Sequence, residues 1–271
     1  MNLKQLCELL TMPEEMTNKV LHLSSSFDEK VITAPLERLY SPETREESYR
    51  EIQKLLGEDP DGSKMLVLML TQCLESYKKY QERQIGNEIF CATMKYCTRF
   101  VNMHHDVYGA YAFKWGFWFP RQLALQEFRI GAFEYEMLAD SDGKRINLHI
   151  PGDADMSHEA MASSFAAAKK FFKEQYPEFA EAEVVCDSWL LSPMLKELLP
   201  GKSKILHFQQ AFDVIKVNEG GKSCLLWVYG RDDLPLDELP QQTSLQKKLK
   251  TYIENGGTTS EGYGVLRKSF W

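Results

Sequence analysis

A strand, a turn and a long helix follow one another directly in the stretch INLHIPGDADMSHEAMASSFAAAKKFF, residues 146–172. Alternation over INLHIP predicts the strand. One stripe of apolar residues at helical spacing predicts the helix, namely Met161, Phe165, Ala168 and Phe172. A further apolar run, AEVVCDSWLL at 182–191, predicts another strand. A strand–helix–strand series of this kind indicates an α/β sheet.

The rest of the second half extends this series. QEFRIGAFEYEML is expected to be one strand, and Asp142-Gly143 indicates a hairpin turn into INLHIP. SPMLKELLP reads as a short helix, HFQQAFDVIKV and SCLLWVYG as two strands, and SLQKKLKTYIENGG as a final helix. The predicted order is β-β-α-β-α-β-β in one sheet domain, followed by the final helix.

The first part of the chain has a helical pattern instead. Capping residues and glycine stops delimit the segments LKQLCELL, SPETREESYREIQKLLG, GSKMLVLMLTQCLESYKKYQERQIG and NEIFCATMKYCTRFVNMHHDVYG. A length of 271 residues exceeds what one ordinary core uses. We therefore expect a helical N-terminal domain over residues 1–120 and a sheet domain over 121–271.

Composition excludes several function classes. A net charge of −7 argues against a nucleic-acid groove, which needs a basic face. The longest apolar run, MLVLML, is too short to span a bilayer. The six cysteines are scattered without a C-x-x-C pair, which predicts reduced, mostly buried thiols in a cytoplasmic protein that uses no membrane.

The turn PGDADMSH before the long helix allows three interpretations. The helix start could bind an anion through its free N–H groups. Asp155 or Ser157 could instead cap it, with Glu159 complementing the dipole. Asp153 and Asp155 could also supply oxygen ligands to Mg²⁺ or Ca²⁺, although the further ligands of a calcium loop are missing.

The order of elements, together with LQEFRIGAFEYEML, INLHIPGDADMS, VVCDSWLLSP and WGFWFPRQL, resembles a bacterial acyltransferase family. Its members join a helical acyltransferase N-terminal domain to a GNAT-like C-terminal domain. The resemblance covers essentially the whole chain. It implies an α/β fold in which a GNAT-like mixed β-sheet domain with flanking helices follows the helical domain.

The resemblance also implies acetyl-CoA as co-substrate, with no metal. In GNAT enzymes two neighbouring parallel strands splay apart around the pantetheine arm, and the pyrophosphate lies at the start of the next helix. The turn in this chain lacks the usual Gln/Arg-x-x-Gly-x-Gly/Ala pattern. The corresponding cofactor-binding positions are Leu148, His149, Ile150, Gly152, Asp155, Met156, Ser157 and His158.

Acyl transfer to an amine needs a base for the amine proton and an acid for the leaving thiolate. His149 is the first candidate base, because an unperturbed imidazole changes charge near neutral pH, although a structural histidine fits equally. Glu134 is a second candidate, but it and Glu136 could simply be solvated. Asp187 could orient a base, bind the amine or cap a turn. No tyrosine lies in 193–199 to serve as the acid.

Cys186 is a weak candidate nucleophile, because it lies within an apolar strand with no adjacent basic residue. The sequence therefore predicts an acyl-CoA-dependent N-acyltransferase that acts on a small-molecule or peptide amine. One alternative is a non-catalytic GNAT-like binding or regulatory module. The other is a hydrolase with paired carboxylates from Glu134, Glu136 and Asp187.

Overall fold

A computed structural model of the chain describes residues 1–25, 33–141 and 143–271. The chain divides into two compact units, Met1–Phe128 and Arg129–Trp271. Asp142, which contributes to the predicted hairpin signal, lies outside the described residues. Within the described ranges, no helix combines the length and the apolarity needed to cross a bilayer.

The first unit is helical. Its described helices are α1 (Leu3–Leu9), α2 (Glu14–Ser24), α3 (Thr33–Leu39), α4 (Arg45–Leu56), α5 (Ser63–Glu82), α6 (Asn87–Met94), α7 (Tyr96–Tyr108) and α8 (Pro120–Leu123). The run MLVLML lies in α5, and each of its six side chains is buried. A helix that is apolar on all sides forms the centre of a core, which explains why this run is continuous.

Two predicted helix boundaries differ in the structure. The expected single helix over NEIFCATMKYCTRFVNMHHDVYG is divided at Lys95 into α6 and α7. The helix predicted to begin at Pro42 begins at Arg45, and residues 41–44 form a turn in which the Thr44 N–H donates to the Ser41 carbonyl at 3.2 Å.

The second unit contains a mixed sheet with helices around it. The strands are β1 (Glu127–Ile130), which begins before the unit boundary, β2 (Phe133–Asp140), β3 (Gly143–His149), β4 (Glu183–Ser188), β5 (Phe212–Glu219) and β6 (Ser260–Leu266). The helices are α9 (His158–Gln175), α10 (Leu195–Leu198), α11 (Lys204–Gln209), α12 (Ser223–Tyr229) and α13 (Ser244–Glu254). The sheet order is β1-β2-β3-β4-β6-β5. The pair β3–β4 is parallel, and the pairs β2–β3, β4–β6 and β5–β6 are antiparallel.

Three predicted strands were wrong. QEFRIGAFEYEML forms two strands, β1 and β2, separated by Gly131 with φ +64°. The start of HFQQAFDVIKV is helical and only its second half forms β5. SCLLWVYG forms the helix α12, and the place beside β5 is taken by β6 near the C-terminus. The α/β architecture with a mixed sheet is nevertheless as predicted.

One face of the sheet packs on α9. Tyr135 of β2 is fully buried, and its hydroxyl lies 2.9 Å from Ser164 Oγ of that helix. Phe133 stacks on Phe165 with 5.4 Å between ring centroids. Because side chains alternate along a strand, the residues between these project from the other face.

Candidate active site

The parallel strands β3 and β4 pair over a short distance only. Their register joins Arg145 to Glu183, Ile146 to Val184 and Asn147 to Val185. Within the described residues no pair joins the two strands beyond this point, while β4 continues to pair with β6 as far as Ser188. The backbone at the carboxyl end of β3 is therefore released from β4 at His149, next to the turn that leads to α9.

Four polar residues project from the sheet face opposite α9. The hairpin register pairs Glu134 with His149 and Glu136 with Asn147. His149 Nε2 lies 2.9 Å from Glu136 Oε2 and 3.3 Å from Asn147 Nδ2. Glu134 and Glu136 are only 5% and 6% exposed, so the solvated interpretation of these two carboxylates was wrong. A histidine and a carboxylate in contact can hold and transfer a proton.

The aspartates of the turn are engaged within the protein. Ser157 is the N-cap of α9 and accepts the Ala160 N–H at 3.3 Å. Asp155 in turn accepts the Ser157 N–H at 2.9 Å and its hydroxyl at 3.0 Å, and these bonds lower the pKa of Asp155. The capping interpretation is thus confirmed. The N–H groups of His158 and Glu159 have no acceptor within the described part of the chain.

Cations from outside the turn compensate its acidic charge. Arg129 of β1 donates to Asp153 Oδ1 at 2.5 Å, and its side chain is 12% exposed. Lys204 of α11 lies 3.5 Å from Asp155 Oδ1. The His207 ring of α11 lies beside the His158 ring, with 4.9 Å between centroids. No local sequence signal could have identified these partners, because they lie 24 to 49 residues away along the chain.

The remaining predicted cofactor positions differ in exposure. Leu148 faces α9 and is buried, so only its backbone is available to a ligand. Ile150, Met156 and Ser157 are half-buried, whereas Gly152 and His158 are exposed. A Cβ added at Gly152 would meet no atom within 4 Å, so the space beside this backbone is open.

Asp187 is on β4, opposite Tyr263 of β6. Burial, and secondarily the carboxylate of Glu261, raise the pKa of Asp187, while Lys216 opposes the rise. The turn after β4 is capped by Ser188, which accepts the Leu190 N–H at 3.1 Å, so Asp187 does not serve as this cap. In the described chain no hydrogen bond or ion pair joins Asp187 to His149.

Cys186 is completely buried, and burial raises the pKa of its thiol. The thiolate is the reactive form of cysteine, so this residue is chemically inert in the folded protein. The interpretation as a buried thiol agrees with the structure, and the interpretation as a nucleophile does not.

Known proteins resemble this chain along nearly its whole length. Two solved structures, described as an acyltransferase in complex with decanoyl-CoA and one with decanoyl-CoA and teicoplanin, are 21% and 20% identical to it. Each match covers 97% of this chain and 86% or 87% of the other, with TM-scores of 0.78 and 0.79. At this identity the likeness establishes the fold. A search of curated proteins gave no match.

Two family models match the sequence. The model of the GNAT-like C-terminal domain covers residues 69–266, and that of the N-acyltransferase N-terminal domain covers residues 1–125. The first alone spans more than half of the chain. The chain therefore belongs to the acyltransferase family that joins an N-acyltransferase N-terminal domain to a GNAT-like C-terminal domain.

Proposed function

We propose that this acyltransferase uses an acyl-CoA thioester and transfers the acyl group directly to an amine. The observation that carries the proposal is the end of β3–β4 pairing at Asn147 and Val185, combined with N–H groups of His158 and Glu159 that find no acceptor among the described residues. Released strand backbone can bind the amides of a pantetheine arm. Free N–H groups at a helix start suit a pyrophosphate.

The cations around the turn support the same assignment. CoA brings several negative charges to a region that contains Asp153 and Asp155. Arg129 and Lys204 already neutralise these two carboxylates, so the local repulsion is smaller than the sequence of the turn indicates. The backbone N–H groups can then act on the phosphates.

In the proposed reaction the amine nitrogen attacks the thioester carbonyl carbon. The C–N bond forms, the C–S bond breaks, and CoA leaves as a thiolate that takes up a proton. His149 accepts the proton that the amine loses, with Glu134 and Asp187 as further candidates on the same sheet. A general base of this kind contributes about 10²- to 10⁴-fold to a rate.

The sequence analysis predicted an acetyl group. A similar solved structure is described with decanoyl-CoA, so longer acyl chains are candidates here as well. One of those relatives is described with teicoplanin, a peptide-based compound, which supports a peptide or small-molecule amine as acceptor here. We therefore propose an acyl-CoA donor, with an acyl chain anywhere from acetyl to decanoyl, and an amine acceptor.

Isothermal titration of the full chain with CoA, acetyl-CoA, octanoyl-CoA and decanoyl-CoA tests the donor. We expect binding, with Lys204→Ala weakening it because the uncompensated Asp155 then repels the phosphates. Lys202→Ala is the matched control, since this exposed lysine lies two residues away and forms no ion pair among the described residues. Folded protein that binds none of the four at millimolar concentration would refute the proposal.

Turnover separates the enzyme from a non-catalytic binding module. A panel of amines with the donor that binds best, followed by thiol release, should give catalysis that His149→Ala reduces by at least about 10²-fold. Binding without thiol release across the panel would favour the module. Release without an amide product would favour hydrolysis.

A further inference from the structure

We propose that His207 of α11 is a phosphate-binding residue, which together with His158 at the start of α9 binds the pyrophosphate of the donor. The inference rests on the proposed acyl-CoA donor. It adds to the backbone N–H groups of α9 two imidazole side chains that lie 49 residues apart along the chain.

One face of α11 is directed at the turn before α9. Lys204 and His207 are three residues apart, so they are neighbours on the surface of this helix. Lys204 Nζ lies 3.5 Å from Asp155 Oδ1. The His207 ring lies beside the His158 ring, with 4.9 Å between centroids and 33° between planes. Two separate contacts thus bring this face of α11 to residues 155–158.

The two imidazoles are open to a ligand. Within the described residues, neither ring forms a hydrogen bond or an ion pair. His158 is exposed and His207 is half-buried, so solvent reaches both side chains. His158 is also the first residue of α9, where its own N–H and that of Glu159 find no acceptor in the described chain. Ring and backbone donors therefore occur together at this helix start.

The local charges leave the imidazoles as the side chains that can balance a bound anion. Arg129 is paired with Asp153, and Lys204 with Asp155, so each of these cations is matched by an acid. Glu159, the next acid along the chain, is exposed to solvent, where salt screens its charge. An anion in contact with an imidazole favours the cationic form of the ring. Two cationic rings 4.9 Å apart repel each other, and a bound pyrophosphate offsets that repulsion.

A pyrophosphate matches donors that are distributed over two helices. Its oxygens are carried on two phosphorus atoms, so it can accept hydrogen bonds from the N–H groups of α9 and from the ring on α11 at the same time. CoA carries such a group. Inorganic pyrophosphate has the same chemistry without the rest of the donor, and it therefore serves as a probe of the phosphate site alone.

Isothermal titration of the full chain with acetyl-CoA tests the role of His207. We expect His207→Ala to raise the Kd about 10-fold, as the loss of one hydrogen bond to a charged group predicts. His207→Lys should keep most of the affinity, because it restores a cationic donor without the ring. Gln210→Ala, an exposed position at the end of the same helix, is the matched control and should change the Kd by less than about twofold.

The two His207 variants separate charge from packing. Both lose the ring contact with His158, and only His207→Lys keeps a positive charge. Equal losses of affinity in the two variants would show that the ring acts through packing and would overturn the inference. An unchanged Kd in His207→Ala would overturn it as well.

Nitrogen-15 NMR of the imidazoles, with inorganic pyrophosphate added to the full chain, is the second measurement. The signals are assigned by their loss in His158→Ala and His207→Ala. We expect both to shift with pyrophosphate and not with sodium chloride at the same ionic strength. If acetyl-CoA binds but neither ligand shifts the His207 signals, the inference fails and the proposed function stands. If pyrophosphate shifts both sets of signals but no acyl-CoA binds, the phosphate site stands and the acyl-CoA proposal fails.

Discussion

Ser164 joins three parts of the second unit through one hydroxyl group. Its Oγ donates to the Ile130 carbonyl and accepts the Phe133 N–H at 3.4 Å. The Tyr135 hydroxyl lies 2.9 Å away and donates to the same oxygen. The residue is buried, so loss of its hydroxyl would leave buried polar groups without partners.

We therefore expect Ser164→Ala to lower the free energy of unfolding by about 1–3 kcal/mol. Ser163→Ala is the matched control, because Ser163 is exposed on the same helix and should change stability by less than about 0.5 kcal/mol. Urea unfolding monitored by circular dichroism measures both. Equal effects of the two substitutions would show that the hydroxyl network contributes nothing.

Asp187 should weaken the fold at neutral pH. Its raised pKa means that the folded protein holds the Asp187 proton more tightly than the unfolded chain does. Stability contributed by this group is thus present below the unfolded value of about 3.9 and is lost as pH rises through the higher folded pKa. Asp187→Asn should be more stable than the wild type at pH 7, with a difference that shrinks at acid pH. A difference independent of pH would contradict the prediction.

The contact between Glu136 and His149 could have been predicted from the sequence. The pairing of Asp140 with Gly143 fixes the register, and counting back from this pair joins Glu136 to Asn147 and Glu134 to His149. Alternation already put Asn147 and His149 on one face. The burial of the two glutamates was not predictable, because charged residues near a strand end are usually solvated.

Among the elements, the short apolar segments were predicted least well. SCLLWVYG has the composition of a buried strand and forms the helix α12. Periodicity cannot distinguish a strand from a buried helix over so few residues, and only the neighbouring elements decide. The place beside β5 is occupied by SEGYGVL, whose glycines Gly262 and Gly264 disfavour a strand locally. A Cβ at Gly262 would lie 2.6 Å from the Leu191 carbonyl oxygen, so close packing selects glycine there.

A helix end can require glycine because of its left-handed backbone or because of close packing. Gly109 shows the first reason alone, and Gly62 shows both. Both have φ of +70°, but a Cβ at Gly62 would lie 2.0 Å from the Phe113 carbonyl oxygen, whereas one at Gly109 meets nothing within 4 Å. Gly109→Ala should cost about 1–2 kcal/mol for the left-handed backbone alone. Gly62→Ala should cost about 1–3 kcal/mol more, because backbone must shift. Denaturant unfolding of the two variants compares them directly, and equal losses would rule out the crowding.

At the scale of the whole molecule, the negative net charge disfavours the anionic acyl-CoA that we propose as co-substrate. The net charge of −7 repels an anionic co-substrate at long range. The cations Arg129 and Lys204 act only over short distances, beside the start of α9. Screening extends over about 8 Å at physiological salt, so local charges outweigh the net charge once the ligand is at the site. The bulk composition thus indicated little about the ligand.

The reactivity of the six cysteine thiols tests whether the acyl group passes directly to the amine or through a cysteine. All six cysteines are free, five are buried and Cys91 is half-buried. Burial raises the pKa of Cys7 and Cys224 to about 11 and that of Cys97 to about 12, and raises those of Cys73 and Cys186 as well. Iodoacetamide at neutral pH should therefore modify Cys91 first and the other five only after unfolding, as peptide mass spectrometry would show.

Direct attack of an amine on the thioester needs no cysteine, so protein alkylated at Cys91 alone should keep its acyltransfer rate. Cys91→Ser, treated in the same way, controls for modification elsewhere. Fast alkylation of Cys186 in the folded protein, with parallel loss of activity and protection by acyl-CoA, would instead indicate a covalent acyl-cysteine route. The burial of Cys186 at 0% exposure is the reason that we expect the direct route.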